Sequence, residues 1–179
     1  RANHWTRLDI KCLDAALHNR PERIADRLES VLAQHHAEYT NILIAYADCG
    51  TGGAVDRVAQ QFNAQRLPGA HCYEFYATSP VFAALAEAEP GTFYLTDFLV
   101  RHFDRLVIEE MKLDEHPELE ELLFGRYRKV VYLAQGDSSD LLDQAERSAT
   151  RLYLPLEVVT TCYCLLAKTV EEEVIRVIA

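Results

Sequence analysis

The sequence lacks the features that would commit the protein to a nucleic acid or a membrane. Basic residues are scarce, because 18 Lys and Arg stand against 28 Asp and Glu, a formal net charge of −10 in 179 residues. Binding to phosphate backbones or anionic lipid depends on clustered basic side chains, so no such partner is expected. No uncharged run approaches the roughly 20 apolar residues that span a bilayer. The first residues contain no apolar leader segment, which makes the cytoplasm the expected compartment.

The composition is that of a folded protein, with 49% apolar residues, 26% charged residues, 7 Gly and 6 Pro. A chain of this length buries about 70% of its unfolded surface and needs no cross-link merely to fold, so we expect residues 1–179 to form a single domain. The 5 Cys therefore require another explanation. An odd number of cysteines in a chain without secretory features favours reduced thiols, metal ligands or a nucleophile over disulfides.

Apolar runs alternate with amphipathic segments along the chain. We predict strands at Leu8 to Leu13, Asn41 to Ala47, Ala70 to Phe75, Thr92 to Thr96, Lys129 to Ala134 and Leu154 to Thr161. The predicted helices are Pro21 to Ala37, Ala54 to Gln65, Val81 to Ala88, Phe98 to Glu110, Asp114 to Phe124 and Asp140 to Leu152. This alternation predicts an α/β fold, a three-layer α/β/α sandwich with a mainly parallel, Rossmann-like sheet.

The most informative segment lies where the predicted strand Asn41 to Ala47 ends and a helix begins. It reads Asp48-Cys49-Gly50-Thr51-Gly52-Gly53. Ligands of α/β proteins bind at the carboxyl ends of strands, and glycine-rich turns at a helix N-terminus direct backbone N–H groups toward an anion or a thiolate. We therefore predict that residues Gly50 to Gly53 bind a small or anionic ligand. Cys49 is the candidate reactive thiol, although such a turn can also be purely structural.

Two further segments bring cysteine to the ends of predicted strands. Cys12 lies near the end of the first one, with His18 shortly after it, and His71-Cys72 lies at or near the third. Thiolate and imidazole are ligands of zinc and of iron-sulfur clusters, so Cys49, Cys72, His71 and Cys12 form the candidate metal set. Adjacent residues on a strand point to opposite faces, which argues against His71 and Cys72 sharing a site. Cys162 and Cys164 are better explained as small core residues.

Several blocks of the sequence together resemble one family, the domain of unknown function 1638 family of bacteria and archaea. The similarity covers nearly the whole chain, and the blocks occur in the same order as in the family. The blocks are His18 to Ile24, Tyr46 to Gly53, His71 to Phe75, Glu89 to Asp97 and Arg101 to Leu106.

The resemblance implies α/β proteins with a cysteine at the end of successive strands. It also implies a link to corrinoid and methylamine one-carbon metabolism, with a corrinoid or methyltransferase protein as a partner. The residues that carry over are Cys49 and Cys72 as ligands or nucleophiles, with His18, Asp48 and His71 in support. Two departures stand out: the family's first strand-helix unit with its Cys-Gly pair is missing here, and a Thr-Gly-Tyr-Gly segment is replaced by residues 161–164.

Three functional hypotheses follow. In the first, Cys49 and Cys72, with His71 or Cys12, hold zinc or an iron-sulfur cluster that assists methyl transfer or its activation. In the second, Cys49 is the nucleophile of a metal-free enzyme, His71 or His18 is its base, Asp48 supports the site, and the N–H groups of Gly50 to Gly53 form an oxyanion hole. In the third, the protein is a non-catalytic module that binds a cofactor or a corrinoid enzyme.

Overall fold

The computed structural model describes residues 8–161 together with Ala167, Lys168 and Glu171. The chain divides into two compact units, the first reaching to Pro68 and including Ala167, and the second beginning at Gly69. The single domain expected from the length stays a prediction. Among the described residues, no helix is long and apolar enough to cross a membrane.

The first unit combines short helices with a small parallel sheet. Strand β1 (Leu43–Ile44) pairs in parallel with β2 (Gln65–Arg66). Helix α1 (Ile24–His35) precedes β1, and α2 (Ala54–Gln61) connects the two strands. Three 3-10 segments, Ala15–Asn19, Pro21–Arg23 and His36–Glu38, flank α1.

The core of the first unit forms where α1 and α2 pack against β1. Apolar residues recur every three or four positions on both helices, which places them on one face. Each buried aliphatic side chain contributes about 1.5–3 kcal/mol relative to an exposed one. The buried members are Ile24, Leu28, Leu32, Ile44, Val55, Val58 and Ala59.

The second unit contains a larger sheet in the order β3-β4-β5, with all neighbours parallel. Its strands are β3 (Thr92–Thr96), β4 (Lys129–Ala134) and β5 (Leu156–Thr160). Its helices are α3 (Glu74–Ala77), α4 (Ser79–Ala88), α5 (Asp97–Arg101), α6 (Glu118–Phe124) and α7 (Ser139–Arg151), and a π-helical segment spans Asp104–Glu109.

Strand β4 contributes to a different hydrophobic cluster from each of its faces. Val130, Tyr132 and Ala134 pack with residues of α5, the π-helical segment, α6 and α7. Val131 and Leu133 pack with Ala77 of α3 and with the partly buried residues of α4. Because side chains alternate across a strand, a central strand covered by helices on both sides is apolar throughout. The predicted α/β fold, its parallel strands and its layered packing are confirmed.

Two of the predicted strands are wrong. Leu8 to Leu13 form no strand, and Leu8 and Ile10 are exposed at 39% and 69% of their surface. Ala70 to Phe75 form a turn that leads into α3, and the strand of this region is β2 at Gln65–Arg66. Cys12 and Cys72 therefore do not lie at strand ends, contrary to the prediction.

A buried carboxyl group connects the carboxyl ends of β3 and β4. Asp97, only 6% exposed, accepts hydrogen bonds at Oδ1 from the Tyr132 hydroxyl at 2.8 Å and from the Gln135 N–H at 3.1 Å. The Asp97 N–H donates in turn to Gln135 Oε1 at 2.8 Å. Buried polar groups are costly unless they are paired, so this reciprocal arrangement stabilises the end of the sheet.

Candidate metal centre

The turn between β1 and α2 has an unusual backbone. Four of its residues adopt positive φ angles: Cys49 at 46°, Gly50 at 82°, Gly52 at 61° and Gly53 at 78°. Glycine tolerates this region, whereas a residue with a side chain is disfavoured there by about 1–2 kcal/mol. The half-buried Cys49 is thus held in a conformation that its surroundings must enforce.

The Asp48 side chain stabilises this backbone conformation through hydrogen bonds across the turn. Its Oδ1 accepts hydrogen bonds from the Thr51 hydroxyl and the Gly53 N–H, both at 2.7 Å, and its Oδ2 accepts from the Gly52 N–H at 3.2 Å. The Thr51 hydroxyl and the Gly53 N–H hold the pKa of Asp48 below its ordinary value. A single carboxylate therefore accepts three of the polar hydrogens of the turn.

Hydrogen bonds to Asp48 occupy several N–H groups of the predicted anion site at Gly50 to Gly53. The N–H groups of Gly52 and Gly53 donate to the Asp48 carboxylate, and the Thr51 N–H donates to the Asp48 carbonyl at 2.9 Å. The N–H groups of Thr51, Gly52 and Gly53, which the sequence offers to an external anion, are thus directed at Asp48. Sequence reasoning placed Asp48 in support of chemistry but did not identify this role, although Asp is known to bind backbone N–H groups in turns.

His18 lies close to Cys49 within the first unit. It belongs to the 3-10 segment Ala15–Asn19, whose start is capped by the Asp14 side chain, and its ring contacts the Tyr46 ring with centroids 5.9 Å apart. A ring nitrogen of His18 and Cys49 Sγ lie within 4.8 Å of each other. Imidazole nitrogen and thiolate sulfur are the two donor types of most protein zinc sites.

The chain that carries His18 also approaches the glycine turn. A Cβ placed on Gly50 would lie 4.0 Å from Pro21 Cβ, so the segment after His18 contacts the turn after Cys49. The positive φ of Gly50 disfavours a side chain at this position, whereas the distance to Pro21 would be an ordinary van der Waals contact. The two segments that carry the candidate ligands are therefore packed against each other.

Arg66 fixes the strand end beside this turn and was not identified from the sequence. Its guanidinium donates to both carboxylate oxygens of Asp56, at 2.6 and 3.3 Å, and to the carbonyl of Leu67 at 2.7 Å. A further contact reaches the Tyr46 carbonyl at 3.4 Å. Planar two-pronged pairing of this kind is specific to arginine. Arg66 thus connects β2 to α2 and to the strand that leads into the Cys49 turn.

In the second unit, Cys72 is half-buried in a turn that a carboxylate also organises. Glu74 Oε1 accepts hydrogen bonds from the N–H groups of Ala70 at 2.8 Å and His71 at 3.2 Å. Burial raises the pKa of Glu74, but hydrogen bonds from the Ser79 hydroxyl and from these N–H groups outweigh burial and lower it overall. Sequence reasoning missed Glu74, whose position just after the Gly69 turn was the available signal.

The other predicted residues are placed differently. His71 is exposed, and its ring contacts the Phe82 ring with centroids 5.7 Å apart. Cys12 is exposed, and it does not join His18 and Cys49 as a third ligand within 4.8 Å. Cys162 and Cys164 lie outside the described residues. The structure therefore brings together His18 and Cys49 in the first unit but does not bring Cys12 to them.

Comparison with known proteins identifies a family for the chain. The family model described as protein of unknown function (DUF1638) matches residues 12–170. No curated protein and no solved structure matches significantly. The matched range contains both carboxylate-organised turns and most of the 179 residues. The chain therefore belongs to the DUF1638 family, as its sequence blocks indicate.

Proposed function

We propose that this protein binds a metal ion through Cys49 and His18, with Cys72 as a third ligand. The observation that carries the proposal is the approach of a His18 ring nitrogen to Cys49 Sγ within 4.8 Å. A small movement of either side chain would allow both atoms to reach one ion at the 2.0–2.3 Å typical of zinc bonds. Cys72 enters the proposal from its sequence pattern and family resemblance alone.

The donor set favours zinc over an iron-sulfur cluster. Most iron-sulfur clusters are bound by four cysteines, and Rieske clusters are bound by two cysteines and two histidines. One imidazole and two thiolates match instead the zinc sites that keep a fourth coordination position open. A zinc ion bound in this way supplies Lewis-acid activation of a water molecule or a substrate.

The surroundings of Cys49 favour this proposal over a metal-free thiol enzyme. An oxyanion hole needs free N–H donors near the nucleophile. The N–H groups of Gly52 and Gly53 are instead engaged by the Asp48 carboxylate. That carboxylate also places negative charge next to Cys49 in the sequence, which favours a bound cation there.

The family resemblance extends the proposal to a reaction and a partner. We propose methyl transfer, or activation of a methyl-transfer system, as the reaction, and a corrinoid or methyltransferase protein as the partner. The acidic net charge of −10 is compatible with docking to a basic protein surface. A non-catalytic accessory module with the same metal site is the second candidate, and turnover with a methylated corrinoid distinguishes the two.

Cobalt titration of the metal-free protein tests the proposal directly. Co²⁺ replaces Zn²⁺ in such sites and reports thiolate ligation through a charge-transfer absorption band. We expect the unaltered chain to show this band. Cys49→Ser and His18→Ala should each weaken cobalt binding by about tenfold or more, the loss expected when a ligand is removed.

Two further variants complete the titration. Cys72→Ser tests the third ligand separately, and Cys12→Ser is the matched control, because Cys12 is an exposed thiol outside the His18 and Cys49 pair. Unchanged charge-transfer intensity together with unchanged cobalt affinity in Cys49→Ser would contradict the proposal. Metal-free protein with one rapidly alkylated thiol would instead support the nucleophile hypothesis.

A further inference from the structure

We propose that Asp48 is a positioning residue that holds the Cys49 thiol in its ligand orientation, and that it neither binds the metal nor transfers a proton. This inference rests on the proposed metal-binding function. It assigns to Asp48 a role different from the catalytic support expected from the sequence. It also makes Thr51 part of the same anchor.

The first argument is the conformation of the turn. Cys49 has a φ of 46° in a segment where three glycines also have positive φ. Such residues persist only where neighbouring interactions over-determine the backbone. The three hydrogen bonds from Thr51, Gly52 and Gly53 to the Asp48 carboxylate cross the turn and restrain it on both sides of Cys49.

The second argument is the occupancy of the carboxylate. Oδ1 already accepts two short hydrogen bonds and Oδ2 accepts one. A general base needs a lone pair directed at the proton that it removes, and a metal ligand needs one directed at the ion. Asp48 thus uses three of the roughly four acceptor sites of a carboxylate within its own turn, which is the behaviour of a group that orients its neighbour.

The third argument is an independent recurrence of the arrangement. In the second unit, Glu74 accepts hydrogen bonds from the N–H groups of Ala70 and His71, immediately before Cys72. That turn also contains a glycine with positive φ, Gly69 at 126°. Two candidate thiols in separately packed units thus share one local design, a half-buried cysteine in a turn organised by an acidic side chain. If these two turns only connected secondary-structure elements, their shared arrangement around a cysteine would have no evident cause.

The test compares four variants of the full chain. Asp48→Ala removes the anchor, Asp48→Asn keeps one acceptor oxygen, and Thr51→Val removes only the hydroxyl donor. Asp26→Asn is the control, because Asp26 is an exposed residue on α1. The two readouts are zinc affinity, measured by chelator competition, and the alkylation rate of Cys49 in metal-free protein, measured by peptide mass spectrometry.

Loss of a residue that orients a metal ligand commonly lowers metal affinity by 10–100-fold, so we expect about a tenfold loss or more for Asp48→Ala. The alkylation rate of Cys49 should rise several-fold as the turn opens. Thr51→Val should change both readouts in the same direction by about threefold, since one of three hydrogen bonds is lost. Asp48→Asn should lie closer to the unaltered chain than Asp48→Ala, and Asp26→Asn should change neither readout.

Unchanged affinity and unchanged alkylation in both Asp48→Ala and Thr51→Val would overturn the inference. If Asp48→Ala fails to fold, Thr51→Val alone decides. If the unaltered chain binds no zinc, the proposed function fails, and the alkylation rates of Cys49 still decide whether Asp48 positions the thiol. If the chain binds zinc and the Asp48 variants bind it equally well, the proposed function stands and this inference falls.

Discussion

Asp48 and Asp97 each follow a parallel strand, yet they serve different purposes. Asp97 is 6% exposed, and it connects β3 to β4 through Tyr132 and Gln135. Asp48 is only half-buried, and the side-chain and backbone groups that donate hydrogen bonds to its carboxylate lie within five residues of it in one turn. An acid whose partners come from another strand contributes mainly to stability. An acid whose partners all lie in the turn that carries a single thiol restrains that thiol. The role of such an acid therefore depends on its hydrogen-bond partners more than on its position after a strand.

The largest predicted effect comes from removing the Asp97 carboxyl group. Asp97→Ala removes the carboxylate that accepts hydrogen bonds from the Tyr132 hydroxyl and the Gln135 N–H, and removing a buried hydrogen-bond partner costs about 1–3 kcal/mol. We expect the free energy of unfolding, measured by urea denaturation, to fall by about 3 kcal/mol. The control Asp143→Ala, at an exposed position on α7, should stay within about 0.5 kcal/mol of the unaltered chain. Equal effects of the two substitutions would contradict the stabilising role assigned to Asp97, on which its contrast with Asp48 depends.

A smaller effect on the free energy of unfolding should distinguish Tyr132 from Tyr94, two buried tyrosines of the second unit. The Tyr132 hydroxyl donates to Asp97, whereas the Tyr94 hydroxyl is buried without a hydrogen-bond partner among the described residues. Tyr132→Phe should lower the free energy of unfolding by about 1–2 kcal/mol, and Tyr94→Phe should leave it unchanged or raise it slightly. Urea denaturation of both variants checks the sign. A larger loss for Tyr94→Phe than for Tyr132→Phe would contradict the assigned bonding.

The Cys49 turn should be sensitive to backbone strain. Gly53 has a φ of 78°, so Gly53→Ala forces a side chain into the left-handed region and should destabilise the protein by about 1 kcal/mol. Gly136→Ala is the matched control, since a Cβ at Gly136 meets nothing within 4 Å and its φ is not positive. Thermal unfolding of both variants measures the difference. If both substitutions have the same effect, the strain assigned to the turn is wrong.

The smallest effect is a change in stability at alkaline pH. Burial raises the pKa of Tyr94 above its ordinary value near 10. Since the folded pKa exceeds the unfolded one, the neutral phenol's contribution is fully present below about pH 10 and is lost as the pH rises through the folded value. Tyr94→Phe should therefore lose less stability than the unaltered chain above pH 10, as measured by urea denaturation at several pH values. Parallel stability curves would contradict this assignment.

Much of the second unit could be predicted from the sequence because local pattern and burial agree there. The strands at Thr92 and Lys129 were predicted with their observed bounds, and Ser138 caps α7 through a hydrogen bond from the Leu141 N–H. Central strands with helices on both faces give continuous apolar runs, and a serine just before a helix commonly caps the N-terminus of that helix. Apolar runs and helix caps can both be recognised from residues that are close together in the sequence.

The wrong predictions have identifiable causes. The alternation in Leu8 to Leu13 is typical of a strand, but these side chains do not enter the core. The Ala70 to Phe75 region is apolar enough for a strand, but the Glu74 side chain takes two of its backbone N–H groups and favours a turn. A side chain that binds nearby backbone groups competes directly with strand pairing. The helix predicted from Phe98 to Glu110 is instead divided into α5 and a π-helical segment.

The candidate site could be predicted only in part. The glycine pattern pointed to the turn and to Cys49, since a cysteine at a strand-to-helix junction is a local feature of the sequence. The closeness of His18 to Cys49 depends on how the 3-10 segment Ala15–Asn19 packs against the turn, about 30 residues away in sequence. Periodicity carries no information about such a contact. The role of Asp48 likewise depends on the path of the turn.

The most direct test of the account is the metal and acid-labile sulfide content of the chain purified without oxygen, compared with Cys49→Ser and with the control Cys12→Ser. We predict about one zinc per chain and no sulfide in the unaltered protein and in Cys12→Ser, with the zinc lost in Cys49→Ser. Metal-free protein, iron with acid-labile sulfide, or zinc retained by Cys49→Ser would contradict the central claim.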